Sequence, residues 1–184
     1  MKFFTPELYL EINSRDLGLV EKAHEKWENA IDRYRKHLAE IRPRMTPNAR
    51  KLAQSVCLHD ATFLGLGLMF LPSSIGKHAI ITLRQGEMQV FLFYLLFKDP
   101  LIEEVKSWPF SSKTVDWLYD EFDIQPDGGQ QHEVLLSDGR VLTLSFYEMW
   151  LYKAALPEMA SYRSATSSER LPMVGSREQA RRSR

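Results

Sequence analysis

The sequence predicts an α+β fold: N-terminal antiparallel helices packed on a curved antiparallel β-sheet of about five to six strands. Three observations carry this expectation. Up to about residue 60, apolar side chains recur at steps of three and four, the helical period. From Ala61 the step becomes two, the period of a strand. Turn signals then separate the strands, the strongest being Asp138-Gly139 between two β-rich runs.

Thr5-Pro6-Glu7 opens a short helix that runs to about Asn13, with a Thr cap, a proline at the first helical position and an early carboxylate. Asp16 opens a second and much longer one. Leu17, Val20, His24, Trp27, Ile31, Tyr34, Leu38 and Ile41 form one stripe that ends before Pro43, and mixed charges fill the opposite face. Aromatics and a His within the stripe favour packing inside the molecule, with a coiled-coil seam as the alternative. His24 and His37 share no face and make no metal pair. Thr46-Pro47 repeats the start signal for a helix to about His59, antiparallel to its predecessor across a short link.

Residues 63–71 alternate as a strand with Gly65 and Gly67 on one face, leaving a shallow site for close approach. After a turn at Pro72 to Gly76, residues 78–84 and 88–97 pair as a hairpin through Gln85-Gly86, with Arg84 opposite Glu87. The second of these strands is apolar on both faces and calls for cover on both sides. Phe91, Phe93 and Phe97 then need a further layer, from residues 147–156 or from a second copy. Residues 111–123 read as a strand after one helical turn, with a helix as the competing assignment. A last hairpin joins residues 132–136 and 141–147, and residues 147–156 form a further strand or a closing helix.

The chain holds 184 residues with 24 basic and 24 acidic side chains, nine Gly, nine Pro and one Cys. This composition excludes collagen-like, disordered and disulfide-scaffold proteins. A lone Cys57 fits a reducing cytosol, and its apolar surroundings predict a buried structural thiol. No apolar run is long enough to span a bilayer as a helix. The neutral total is unevenly spread. Residues 1–60 carry 11 basic and 9 acidic side chains, residues 61–160 carry 7 and 13, and residues 161–184 carry 6 and 2. An acidic sheet points to a protein partner with a basic surface. The Arg/Ser-rich end, 161–184, predicts a disordered tail after a single domain at 1–160, helices at 5–60 and sheet at 61–156. Nucleic acid is expected at most through that tail, which lacks interleaved aromatics.

No phosphate loop, dinucleotide fingerprint, zinc-protease motif or nucleophile elbow is present. Two constellations remain. His59-Asp60 joins the imidazole and carboxylate that metal-dependent phosphohydrolases use, although neighbours on a helix point about 100° apart. The expectation is a core His59 with Asp60 closing the helix. The run Asp116, Asp120, Glu121 and Asp123 sets carboxylates beside Trp117 and Tyr119. On a regular strand Glu121 and Asp123 share a face with both aromatics, and Asp120 points away. Such a pattern occurs in hydrolytic and metal sites, but the favoured reading is the protected, soluble edge of a sheet. The weak catalytic candidates are therefore His59, Asp60, Asp120 and Glu121, with Trp117, Tyr119 and Asp123 as binding candidates and no metal or cofactor assigned.

The opening Met1 to Tyr9, Leu58-His59-Asp60-Ala61, Trp117-Leu118-Tyr119-Asp120-Glu121 and Leu135-Leu136-Ser137-Asp138-Gly139-Arg140 form a recognisable set. Together they resemble a family of small bacterial proteins, without established activity, built from N-terminal helices and a curved antiparallel sheet. The resemblance spans roughly residues 1 to 150 and implies the architecture alone. The expected function is a non-enzymatic protein-interaction or regulatory module of the bacterial cytosol, with a homodimer as a further expectation. The alternative is a divalent-metal-dependent hydrolase using His59, Asp60, the 116–123 carboxylates and His132.

Overall fold

The computed structural model describes residues 1–70 and 76–156, so most of the turn expected at Pro72 to Gly76 and the expected tail at 161–184 lie outside the described residues. Among the described residues three helices precede seven strands: α1 (Pro6–Ile12), α2 (Leu17–Ile41), a 3-10 turn (Arg42–Arg44), α3 (Pro47–Ser55), β1 (Thr62–Phe70), β2 (Lys77–Gln85), β3 (Met88–Leu96), β4 (Leu101–Glu104), β5 (Trp117–Ile124), β6 (Gln130–Leu136) and β7 (Arg140–Ala155).

The helix starts follow the cap chemistry. Thr5 accepts a hydrogen bond from the Leu8 N–H, and Asp16 accepts from Gly18 and Leu19, so two otherwise orphaned ends are satisfied. Thr46 precedes Pro47 as expected, but its own N–H donates to the Gln130 side chain at 3.0 Å, which ties α3 to the sheet. The stripe of α2 holds along most of its length. At its start Ala23 is buried while Leu17 and His24 are exposed, because α1 folds back close against the helix there. α3 meets α2 at a corner lined by Leu38, Ala39, Ala53 and Gln54, and then packs on β7. It also stops four residues sooner than the apolar spacing suggests. Val56 is already extended, and Leu58 and Ala61 anchor the following turn in the core. Cys57, expected to be buried, is exposed on that turn.

All strand pairs are antiparallel, in the order β1-β2-β3-β7-β6-β5 with β4 beside β7. β7 settles the ambiguity over residues 147–156. It is one strand of 16 residues whose first half pairs with β6 and β4 and whose second half pairs with β3. Four-residue β4 carries too little pattern to read from sequence and raises the strand count to seven. The β2–β3 turn lies at Gly86-Glu87, with Gln85 opposite Met88 and Arg84 opposite Gln89, one residue beyond the expected loop. Gly86 takes the positive φ of 60° that this turn needs.

The sheet curls until its two ends meet. Thr62 bridges Asp116, the Phe63 N–H donates to the Val115 carbonyl at 2.7 Å, and the Trp117 N–H donates to the Ala61 carbonyl at 2.8 Å. The ladders go no further, so the sheet is not closed. Its inner face holds the main core, including Ile81, Leu92, Tyr94, Trp117, Phe122 and Phe146, plugged by α3 and the end of α2. Outside, the N-terminal segment, α1 and α2 cover β5 and β6 through Phe4, Leu8, Trp27 and Tyr119.

Candidate functional site

Strand β5 distributes the predicted residues between two faces, and a bulge decides which goes where. Leu118 is the extra residue between the pairs Trp117–Leu136 and Tyr119–Leu135. Trp117 is thereby turned inward, away from Tyr119 and Glu121, whose face it was expected to share. It joins Asp120 instead, donating its indole N–H to Oδ1 at 3.1 Å.

The inner group is a closed polar chain. His132 is fully buried, stacked on Phe122 with ring centroids 4.0 Å apart. Its Nε2 lies 3.0 Å from Asp120 Oδ2 and its Nδ1 lies 2.8 Å from the Tyr94 hydroxyl. A carboxylate accepts, so Nε2 donates to it, and in the neutral imidazole Nδ1 then accepts the hydroxyl proton. Burial first, and Asp120 second, push the Tyr94 hydroxyl well above its ordinary pKa, so it stays protonated. Every member of the chain is satisfied by another. The array resembles a proton relay in composition, yet Tyr94 and His132 are both fully buried in the packed core.

The outer group grips the start of the chain. Glu121, nearly fully buried, accepts the backbone N–H groups of Lys2 and Phe3 at 2.7 and 2.9 Å and also that of Phe4. Its cross-strand partner Glu133 accepts from the Met1 ammonium at 2.9 Å. Asp123 pairs with the Lys2 ammonium. Burial pushes the Asp123 carboxyl up, but Lys2, the Ile124 N–H and His37 together outweigh it and hold the group below its ordinary value. His37 Nε2 lies 3.1 Å from Asp123 but off the axis of a hydrogen bond, which leaves that buried nitrogen without a partner among the described residues.

His59 and Asp60 sit on the turn between α3 and β1. They are neither helical nor in the core. The His59 side chain is 40% exposed and Asp60 is 80% exposed, with Nδ1 and Oδ2 2.9 Å apart. Asp60 holds a φ of 64°, a left-handed position that aspartate tolerates better than most residues. The structure brings His59 against Tyr119, with ring centroids 5.1 Å apart, and leaves Asp120 and His132 on the opposite face of the sheet. The residues of the hydrolase reading are thus divided by β5. Among the described residues no three His, Cys, Asp or Glu side chains gather as a metal site.

A different surface went unread as a site. The outer face of β1, β2, β3 and the second half of β7 carries a groove of about 560 Å³ lined by Met69, His78, Phe91, Phe93, Trp150 and Tyr152. Register explains the grouping: Phe93 lies across from Trp150 and Phe91 across from Tyr152, so all four aromatics stand on one face. His78 is only 8% exposed, and its Nδ1 has no hydrogen-bond partner among the described residues. A second groove of about 510 Å³ shares Met69 and crosses Gly65, Gly67, Ile80, Thr82 and Gln89. Apart from its chain neighbours, no described residue comes within 4 Å of where a Cβ on either glycine would sit, as their placement on one open face leads one to expect. Residues 147–156 lie beside β3 in the plane of the sheet and do not cover these aromatics. The signal in the sequence was the doubly apolar β3 itself. No protein-family model and no curated protein matches the chain.

Proposed function

We propose that this chain is a non-enzymatic protein-interaction module of the bacterial cytosol. Its binding surface is the outer groove of the sheet, and its partner presents an apolar segment flanked by a basic residue. The observation that carries the reading is the aromatic face formed by Phe91, Phe93, Trp150 and Tyr152, which no other element covers among the described residues. Large contiguous apolar patches on a folded domain mark binding surfaces, and aromatics dominate the energetics of such surfaces. The basic flank follows from Glu148. It lies opposite Leu95 in the same cross-strand row as His78 and so stands at the rim of the aromatic face. Glu121, Asp123 and Glu133 are engaged by the chain's own N-terminal segment, which directs the partner to this face.

Panning a phage-displayed peptide library on the full chain tests the reading. Enriched peptides should carry apolar anchors with a nearby Lys or Arg and change the fluorescence of Trp150. Tyr152→Glu, at a position already 56% exposed, should weaken them at least about tenfold, and Phe93→Glu should do the same. Binders indifferent to both variants, or no binders at all, would overturn it.

A further inference from the structure

We propose that β1 is a self-pairing edge: two copies of this chain join β1 to β1 antiparallel about a two-fold axis at Gly67, making one continuous sheet. This goes beyond the groove reading, because it concerns the rim of the sheet and not its face.

β1 is a terminal strand, and its stitching to β5 stops at Phe63. From Leu64 to Phe70 its outer edge pairs with no strand among the described residues. Leu64, Leu68 and Phe70 are 50%, 53% and 72% exposed there. Soluble proteins defend such an edge with lysine, proline or inward-pointing charge. This strand has no charge and no proline from Ala61 to Leu71. Its one irregularity, the bulge at Leu64, lies at the end already stitched to β5.

The occupant follows from symmetry and side-chain size. A two-fold axis perpendicular to a sheet keeps each residue on its own face, so the pairing must centre on a residue. With Gly67 at the centre, Gly65 faces Met69 of the second copy, Leu66 faces Leu68, and Gly67 faces itself. The long Met69 side chain then lies over the open surface of Gly65, twice by symmetry, and leucine meets leucine on the other face. The groove that runs across Gly65, Gly67 and Met69 becomes continuous between the copies. A strand suited to this edge must be uncharged, apolar on both faces and small opposite Met69. β1 meets that description. Residues 157–184, with their arginines and two prolines, contain no such run.

Sedimentation equilibrium and disulfide trapping test the pairing. The full chain should sediment as a dimer at concentrations on the order of tens of micromolar. Leu64→Lys and Leu68→Lys, both at exposed positions, should weaken dimerisation at least about tenfold with unchanged far-UV circular dichroism. Gly67→Cys in a Cys57→Ser background should form a covalent dimer under mild oxidation, because directly opposed Cα atoms lie about 4.5–5.5 Å apart. Tyr152→Glu should leave the dimer intact, which separates this inference from the groove reading. A monomer at these concentrations, a dimer unmoved by both lysines, or a dimer lost through Tyr152→Glu alone would overturn it.

Discussion

Glu121 holds three consecutive backbone N–H groups of the N-terminal segment in a nearly dry setting. Truncation to alanine removes all three bonds at once, and a buried donor left without an acceptor costs about 1–3 kcal/mol. Glu121→Ala should therefore destabilise the fold by about 3 kcal/mol, read as a lower urea midpoint with the slope unchanged. Asp123 acts beside it through charge. Its pKa is lowered below 3.8 in the fold, and that of Lys2 is raised above 10.5, chiefly by the hydrogen bond to Asp123. A lowered carboxyl stabilises the fold above its ordinary value and loses that effect as pH falls through the folded one. A raised ammonium does so below its ordinary value and loses it as pH rises through the folded one. The melting-temperature advantage of wild type over Asp123→Asn should hold from about pH 5 to 9 and vanish in stronger acid. The carboxylates themselves were plain in the sequence. Their partners were not, since Lys2 and Phe3 lie well over a hundred positions away, and a one-residue bulge at Leu118 reversed the face assigned to Trp117.

Elements were legible where their chemistry is local. Thr5, Asp16 and the Asp138-Gly139 turn act within a few residues of themselves, and all stand where the sequence puts them. The end of α3 is decided by what Leu58 and Ala61 can reach in the core, and β4 exists only because β7 offers it an edge; neither cause is local. Gly139 combines both kinds of constraint. Its φ of 82° disfavours any Cβ, and a Cβ built there would lie 2.5 Å from the Trp108 ring. Trp108 in turn donates its indole N–H to the Ser137 carbonyl at 2.9 Å, so the ring is not free to move aside. Gly139→Ala should cost about 2–4 kcal/mol, roughly what overpacking and backbone strain add together, and lower the melting temperature accordingly. The Gly86 turn, where no atom lies within 4 Å of the same position, should lose only the backbone part.

For the whole molecule, the balance of 24 charges against 24 gave no warning of how the surface is divided. Part of the acidic excess of residues 61–160 is engaged internally, by Met1, Lys2 and the start of the chain. What distinguishes the exterior is the contrast between a half clothed by α1 and α2 and a half left aromatic. Sequence periodicity can say that β3 is apolar on both faces, but not that the helices cover a different part of the outer sheet. That depends on how far the sheet curls and where its ends meet, a property of no single segment.

The meeting of β1 and β5 has a kinetic side. A curled sheet fastened by three backbone bonds, the two of the Thr62–Asp116 bridge and one from the Asp60 N–H to the Trp117 carbonyl, has a seam, and a seam is where breathing starts. Opening it requires parting a few hydrogen bonds while the ladders of β3 and β7 stay whole. The amides of Phe63 and Trp117 should therefore exchange with solvent deuterium well before those of Leu92 and Leu151, through a local opening that costs less than global unfolding. Uniform protection across all four would mean that the seam is as firm as the rest. Early exchange would make the fold a sheet that unrolls from its seam.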